Sequence, residues 1–139
     1  YDNLPRPERA TDSARPVHFP GPVMPAGEFE YIRWLRGRTP AHPRVRVGPG
    51  DDAAVLARPA GELLVTTDLL TEGVDFLLAE AGPRAVGRKA MAVNLSDIAA
   101  MAGRPTAAVV AVALPSNAGR SVAEELFLGL REVADRFDV

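Results

Sequence analysis

Three short segments of this 139-residue chain carry carboxylates where a globular protein has little ordinary use for them. Asp51 and Asp52 follow Gly48-Pro49-Gly50 in a turn, Asp68 closes the run Leu63-Leu64-Val65-Thr66-Thr67, and Asp97 is the only charged residue between Ala90 and Ala102. Carboxylates are rarely buried without a partner. Two of them about 4 Å apart repel by roughly 4 kcal/mol at an effective dielectric of about 20. Where such segments converge, divalent cations relieve the repulsion, and oxygen-only ligation suits Mg²⁺ best. These residue types therefore point toward phosphate chemistry.

Each segment also has a plainer reading. Asp and Gly are ordinary turn residues, so Gly48–Asp52 also reads as a hairpin turn. In a strand, Thr66 and Asp68 share one face and Thr67 takes the other, and the same run reads as a half-buried strand ending in a solvated acid. On a helix, Asn94 and Asp97 lie on one side, a turn apart. The alternative is that Asp97 or Ser96 caps a second helical piece starting near Ile98. A cap explains one acid but not its coincidence with the other two segments.

The elements that position these residues follow from the pattern. Residues 1–26 hold Pro5, Pro7, Pro16, Pro20, Pro22 and Pro25 among charged and small residues, and predict a disordered or extended lead-in. The domain proper is expected over 27–139. Phe29, Ile32 and Leu35, with Tyr31 and Trp34 beside them, suit a short amphipathic helix from Glu28, followed by a breaker-rich loop over Arg38–Pro43. Val45 and Val47 predict a short strand before the glycine turn, Ala53–Leu56 a second, and Leu63–Asp68 a stronger third after a turn at Pro59-Ala60-Gly61. Pro83 suits the first turn of a helix running to about Ala102, stopped by Gly103 and Pro105. The continuous apolar run Ala107–Leu114 predicts a buried strand. Ser121 and Glu124 have the spacing of a capping box for a last helix, with Val122, Leu126, Leu130 and Val133 on one face. Helix, strands, helix, strand, helix is an α/β (α+β) layer arrangement, without internal repeats.

Composition excludes several function classes. Apolar content of 47% and charged content of 24% are those of a globular domain. A net charge of −2 gives no basic face for nucleic acid. With no cysteine, disulfides, thiolate nucleophiles and sulfur-ligated zinc are out of reach. No apolar run reaches the length of a membrane span, and no signal-peptide pattern opens the chain, so a cytoplasmic location is expected. Gly48 and Gly50 lack the third glycine of a dinucleotide fingerprint. Gly82–Lys89 resembles a phosphate-binding loop, but Arg88 holds the required lysine position, Ala90 follows Lys89, and a helix opened by Pro83 explains the stretch more simply. Arg88 and Lys89 read as a solvated face. His18 and His42 lie in proline-rich stretches without partners at ligand spacing, which argues against a triad or a zinc site.

Gly27-Glu28-Phe29, Gly50-Asp51-Asp52-Ala53-Ala54-Val55-Leu56, Val65-Thr66-Thr67-Asp68-Leu69-Leu70 and Lys89-Ala90-Met91-Ala92-Val93-Asn94-Leu95-Ser96-Asp97-Ile98-Ala99-Ala100-Met101 follow one another in order. This series closely resembles the N-terminal domain of the thiamine-monophosphate kinases, a family in the aminoimidazole-ribonucleotide-synthetase-like superfamily, over about Gly27–Val139. The resemblance implies a mixed sheet with helices on one side, pairing with a symmetry mate into a barrel-like homodimer core. It implies ATP-dependent phosphorylation of thiamine monophosphate to the diphosphate, with Asp52, Thr66, Thr67, Asp68 and Asp97 as Mg²⁺ ligands. The nucleotide would lie between this domain and a C-terminal one.

Two departures accompany the resemblance. The family pattern after the Thr-Thr-Asp strand is Gly-Val-His-Phe, whose histidine contacts substrate; here the stretch is Gly73-Val74-Asp75-Phe76. Asp75 therefore becomes the candidate substrate-side residue. It cannot donate to phosphate as a protonated imidazole does, though it can accept from an aminopyrimidine or act through a metal. The family's Gly-Gly-Asp-Thr motif is also absent after the last helix, so the chain reads as the N-terminal part of a longer protein, inactive alone. Asp75 keeps open a superfamily enzyme using ATP on another substrate, such as a purine-pathway amide, selenide or a hydrogenase maturation group. A non-catalytic dimerisation module is the reading from a different class.

Overall fold

The computed structural model describes residues 27–57, 60–115 and 118–139. The lead-in expected over 1–26, His18 with it, lies outside the described residues, as does Pro59 of the turn before the third expected strand. Helix α1 spans Gly27–Arg38. Glu28 and Glu30 in its first turn and Arg36 and Arg38 in its last complement the helix macrodipole. Tyr31 and Trp34 stack with ring centroids 5.8 Å apart, Trp34 meets Phe127 edge-on at 5.5 Å, and the Arg38 guanidinium lies 4.3 Å from the Trp34 ring. The Tyr31 hydroxyl donates to the Ala123 carbonyl at 3.0 Å. Burial, and secondarily the nearby Glu124 carboxylate, raises the Tyr31 phenol above its ordinary range. The aromatic pair thus docks α1 on the last helix.

Strands β1 (Val45–Val47) and β2 (Val55–Leu56) form an antiparallel pair, Val45 opposite Leu56 and Val47 opposite Val55. Gly50, at φ +107°, turns the chain between them. A short helix α2 (Leu78–Ala81), without a signal in the sequence pattern, leads into α3 (Pro83–Ala100), which Pro83 opens as expected. Helix α3 ends through Ala102 at φ 53° and the Gly103 N–H donating to the Ile98 carbonyl at 2.8 Å.

Helix α4 (Arg120–Phe137) packs along α3. Val86, Met91, Ala123, Leu130 and Ala134 supply the buried apolar side chains. Gly87 and Gly129 let the two backbones meet. A Cβ at Gly87 would lie 3.0 Å from the Leu126 carbonyl carbon and closer still to its oxygen; one at Gly129 would stand 2.9 Å from that of Arg84, again closer to the oxygen. Glu132 spans the seam, accepting from Arg84 Nε at 2.7 Å and Arg88 Nη1 at 3.1 Å. Those hydrogen bonds, that of Arg84 first, hold its carboxyl below the usual range.

The expected capping box does not form. Helix α4 begins one residue before Ser121, its N-cap is Gly119 without a side-chain cap, and Glu124 pairs with Arg120 Nε at 2.7 Å. An ion pair one helical turn apart has captured the carboxylate that a capping box requires. The sheet also differs from expectation. Among the described residues it holds only β1 and β2, so it is a two-stranded antiparallel pair, not a mixed sheet. Leu63–Asp68 and Ala107–Leu114 have no ladder partner among the described residues, and Val65 and Val109 are 81% and 88% exposed. A strand is stabilised by its neighbours, and these apolar runs lie unpaired.

The C-terminal end of α4 is tied to the start of β1. Asp138, at φ 59°, accepts from Arg44 at 2.9 Å and His42 at 3.2 Å, and Arg104 lies 3.6 Å away. Arg44 also reaches the Asp138 and Thr106 main-chain carbonyls. The Arg44 hydrogen bond, then that of His42, lowers the Asp138 carboxyl below its ordinary range. A carboxyl depressed in the folded state stabilises above its unfolded value, and the contribution disappears as pH falls through the folded value. Acid melting curves should therefore show wild-type stability dropping below about pH 4, where an unfolded aspartate takes up its proton. Asp138→Asn should be less stable than wild type at neutral pH and converge with it in acid. Parallel curves at every pH would remove this pairing from the stability of the fold.

Candidate active site

The segment from Thr66 to Phe76 runs beside α3, held by side-chain bonds to that helix. Thr66 Oγ1 donates to Asp97 Oδ2 at 2.9 Å. Two residues on, the Asp68 main-chain N–H donates to Asn94 Oδ1 at 3.1 Å. Asn94 is itself fixed by Nδ2 donating to the Ala90 carbonyl at 3.0 Å, one turn back. Further along, the Lys89 ammonium donates to the Asp75 main-chain carbonyl. Contacts advancing through 66, 68 and 75 meet α3 at 97, 94 and 89, so the segment runs antiparallel to the helix in three rungs.

This arrangement brings together two of the three acid-bearing segments. Helix α3 continues through Asp97, which rules out a second helical piece beginning at Ile98. An acid in a helix interior, accepting from Thr66, is placed to work with the Thr66-Thr67-Asp68 run. Thr67, Asp68 and Asp97 are exposed and Thr66 is half-buried. Asp51 and Asp52 remain in their own bend, where Asp51 Oδ1 accepts from the Asp52 N–H at 3.0 Å. Among the described residues, no three histidine, aspartate or glutamate side chains come together as a metal-holding group, so Asp52 does not join Asp68 and Asp97 in one. The donors that do meet, carboxylate and hydroxyl oxygens, fit a hard oxygen-seeking cation in kind.

Asp75 occupies a closed loop. Its Oδ2 accepts from the Thr71 N–H at 2.7 Å, its own N–H donates to the Thr71 carbonyl at 2.9 Å, and the Gly73 N–H donates to the Phe76 carbonyl at 2.8 Å. Gly73 supplies the positive φ, +80°, that the turn requires. Glu72 closes the other side, both carboxylate oxygens accepting from the Leu78 N–H at 3.1 and 3.0 Å at the start of α2. Two residues emerge here with roles that sequence spacing left unassigned. Asn94 orients the Asp68 backbone, though its place on the Asp97 side of a helix was visible. Lys89, which reads as part of a solvated face, reaches the loop instead, and nothing in its residue type or spacing signals that reach.

Among the described residues, no helix is long and apolar enough to cross a membrane. No solved structure matches the chain. Among curated proteins it is 41% identical to a thiamine-monophosphate kinase of Rhodopirellula baltica, the match covering 81% of this chain and 38% of that protein. It is 44% identical to the thiamine-monophosphate kinase of Mycobacterium tuberculosis strain H37Rv and 41% identical to that of Bacillus subtilis, over 79% and 77% of this chain and 33% of each relative. The chain thus spans about a third of the length of these relatives. The family model described as AIR synthase related protein, N-terminal domain, matches residues 50–139, a stretch that contains Asp52, the Thr66–Asp68 run, the Asp75 loop and all of α3 and α4. By that match the chain belongs to the AIR synthase related family, of which it carries the N-terminal domain.

Proposed function

We propose that this domain is the metal- and nucleotide-binding part of a kinase that phosphorylates thiamine monophosphate to thiamine diphosphate. The observation that carries the reading is the pair of bonds from the Thr66–Asp68 run to Asp97 and Asn94, which gathers oxygen donors on one side of α3. The names of the relatives supply the acceptor and the reaction. Asp68, Asp97, Thr66 and Thr67 would hold Mg²⁺, which when bound supplies positive charge to polyphosphate oxygens. In the transfer, an oxygen of the acceptor phosphate forms the new bond to the γ-phosphorus of ATP and the bond to the departing ADP breaks. The chain needs no protein nucleophile for this, only positioning and electrostatic support. The test is ADP formation by full-length protein with ATP, Mg²⁺ and thiamine monophosphate. Turnover that requires Mg²⁺ and this acceptor is expected; an inert acceptor would sink the assignment. Asp75 favours a second reading, a family enzyme acting on a different ATP-dependent substrate, and the same assay with alternative acceptors separates the two.

The exposed apolar runs support a further part of the proposal, a homodimer in which Leu63–Asp68 and Ala107–Leu114 find their sheet partners. Burial of Val65 and Val109 in that interface would cover two of the most exposed apolar side chains of the surface. Light scattering should give twice the chain mass for wild type and the single mass for Val109→Lys. A wild-type monomer at micromolar concentration would refute the pairing.

A further inference from the structure

We propose that Lys89 is a positioning residue, clamping the Thr71–Phe76 loop against α3 so that the loop forms a preset wall for the acceptor beside the Asp68–Asp97 side of the helix. Lys89 lies two residues on from Gly87, which packs on α4, and five before Asn94, which holds Asp68. Five helical residues advance about 7.5 Å along the axis. The clamp therefore sits one step away from the oxygen donors, on the same segment.

The loop is already closed by its own bonds, from Thr71 N–H to the Asp75 carboxylate and from Gly73 N–H to the Phe76 carbonyl. Those bonds give it shape but do not fix where it lies. Lys89 fixes it to α3, through the carbonyl of the residue whose carboxylate closes the turn. The Glu72 carboxylate bonded to Leu78 N–H ties the other flank to α2. One Asp75 oxygen is spent inside the loop, which gives Asp75 a part in shaping this wall. A charged donor on a main-chain carbonyl is among the stronger single hydrogen bonds, and its loss releases the loop without touching the α3–α4 seam.

The clamp itself stands on geometry alone, whereas its bearing on the acceptor rests on the kinase reading. Two measurements keep these apart. Amide hydrogen exchange on this chain should show Thr71, Gly73 and Asp75 exchanging about tenfold faster in Lys89→Met than in wild type, with Leu130 of α4 unchanged and Lys89→Arg restoring protection. Equal exchange in wild type and Lys89→Met would overturn the clamp. In full-length protein, Lys89→Met should raise the acceptor KM about tenfold while leaving kcat and the nucleotide KM within about twofold, with rescue by Lys89→Arg. A fall in kcat at unchanged acceptor KM would overturn the positioning role. Wild-type protein that turns over no thiamine monophosphate refutes the kinase reading, and the exchange result then decides the clamp by itself.

Discussion

Gly129→Ala should unfold the domain at a temperature roughly 10 °C below wild type, a loss of about 3 kcal/mol. Helix propensity alone predicts the opposite, since alanine is favoured over glycine inside a helix by about 1 kcal/mol. Contact between backbones decides the sign. A Cβ at Gly129 meets the Arg84 carbonyl, and one at Gly87 meets that of Leu126, neither of which is the yielding end of a side chain. To admit the methyl group the helices must separate along the seam that buries Met91, Leu130 and Ala134. Gly37 of α1 is the internal control, because nothing lies within 4 Å of a Cβ there. Gly37→Ala should raise the melting temperature slightly, and Gly129→Ala should lower it. Two increases would show that α3 and α4 do not approach so closely in solution.

The second large effect is expected at Asp97. Asp97→Asn should lower the rate of the proposed kinase by about 10²- to 10³-fold, the scale associated with removing one preorganised electrostatic contact from a transition state. The substitution is chosen because the asparagine carbonyl can still accept from the Thr66 hydroxyl, so the bond of 2.9 Å has a successor and the fold should melt as wild type does. What disappears is the negative charge available to a cation. The mutant should therefore need more Mg²⁺ for half-maximal rate. Kinase activity in full-length Asp97→Asn at the wild-type rate, with the same Mg²⁺ dependence, would remove Asp97 from the ligand set.

Helices α1, α3 and α4 and the hairpin are legible because each carries a local cause, whereas the four-residue α2 carries none. The aromatic and aliphatic spacing after Glu28, Pro83 at the start of α3, and the face with Leu126 and Leu130 are signals contained within one element. The apolar runs at Leu63 and Ala107 were equally visible, but an apolar run records a need for cover without naming what provides it. Among the described residues neither has a ladder, and the first is held by α3 instead. The capping box failed for a similar reason: Ser121 and Glu124 have the right spacing, but Arg120 competes for the same carboxylate.

The candidate site shows the same division. Thr66, Asp68 and Asp97 are detectable as polar residues at odds with apolar surroundings, and their two segments meet. Asp52 carried an equally plain signal in its glycine turn, yet it stays apart from the others because hairpin geometry governs that bend. Lys89 illustrates the opposite case. A long side chain bonded to a main-chain carbonyl depends on where the chain passes, and residue types alone do not encode it.

Helix α3 serves two neighbours at once. Arg84, Gly87 and Arg88 face α4, while Lys89, Asn94 and Asp97 hold the passing segment. Each residue turns the helix by about 100°, so adding or deleting one residue between Arg88 and Asn94 would swing everything beyond it by that angle relative to the rest. The seam and the rungs could then no longer be satisfied together. The length of this stretch therefore matters as much as its composition, and α3 should accept an exchange of residues in place more readily than a change in their number.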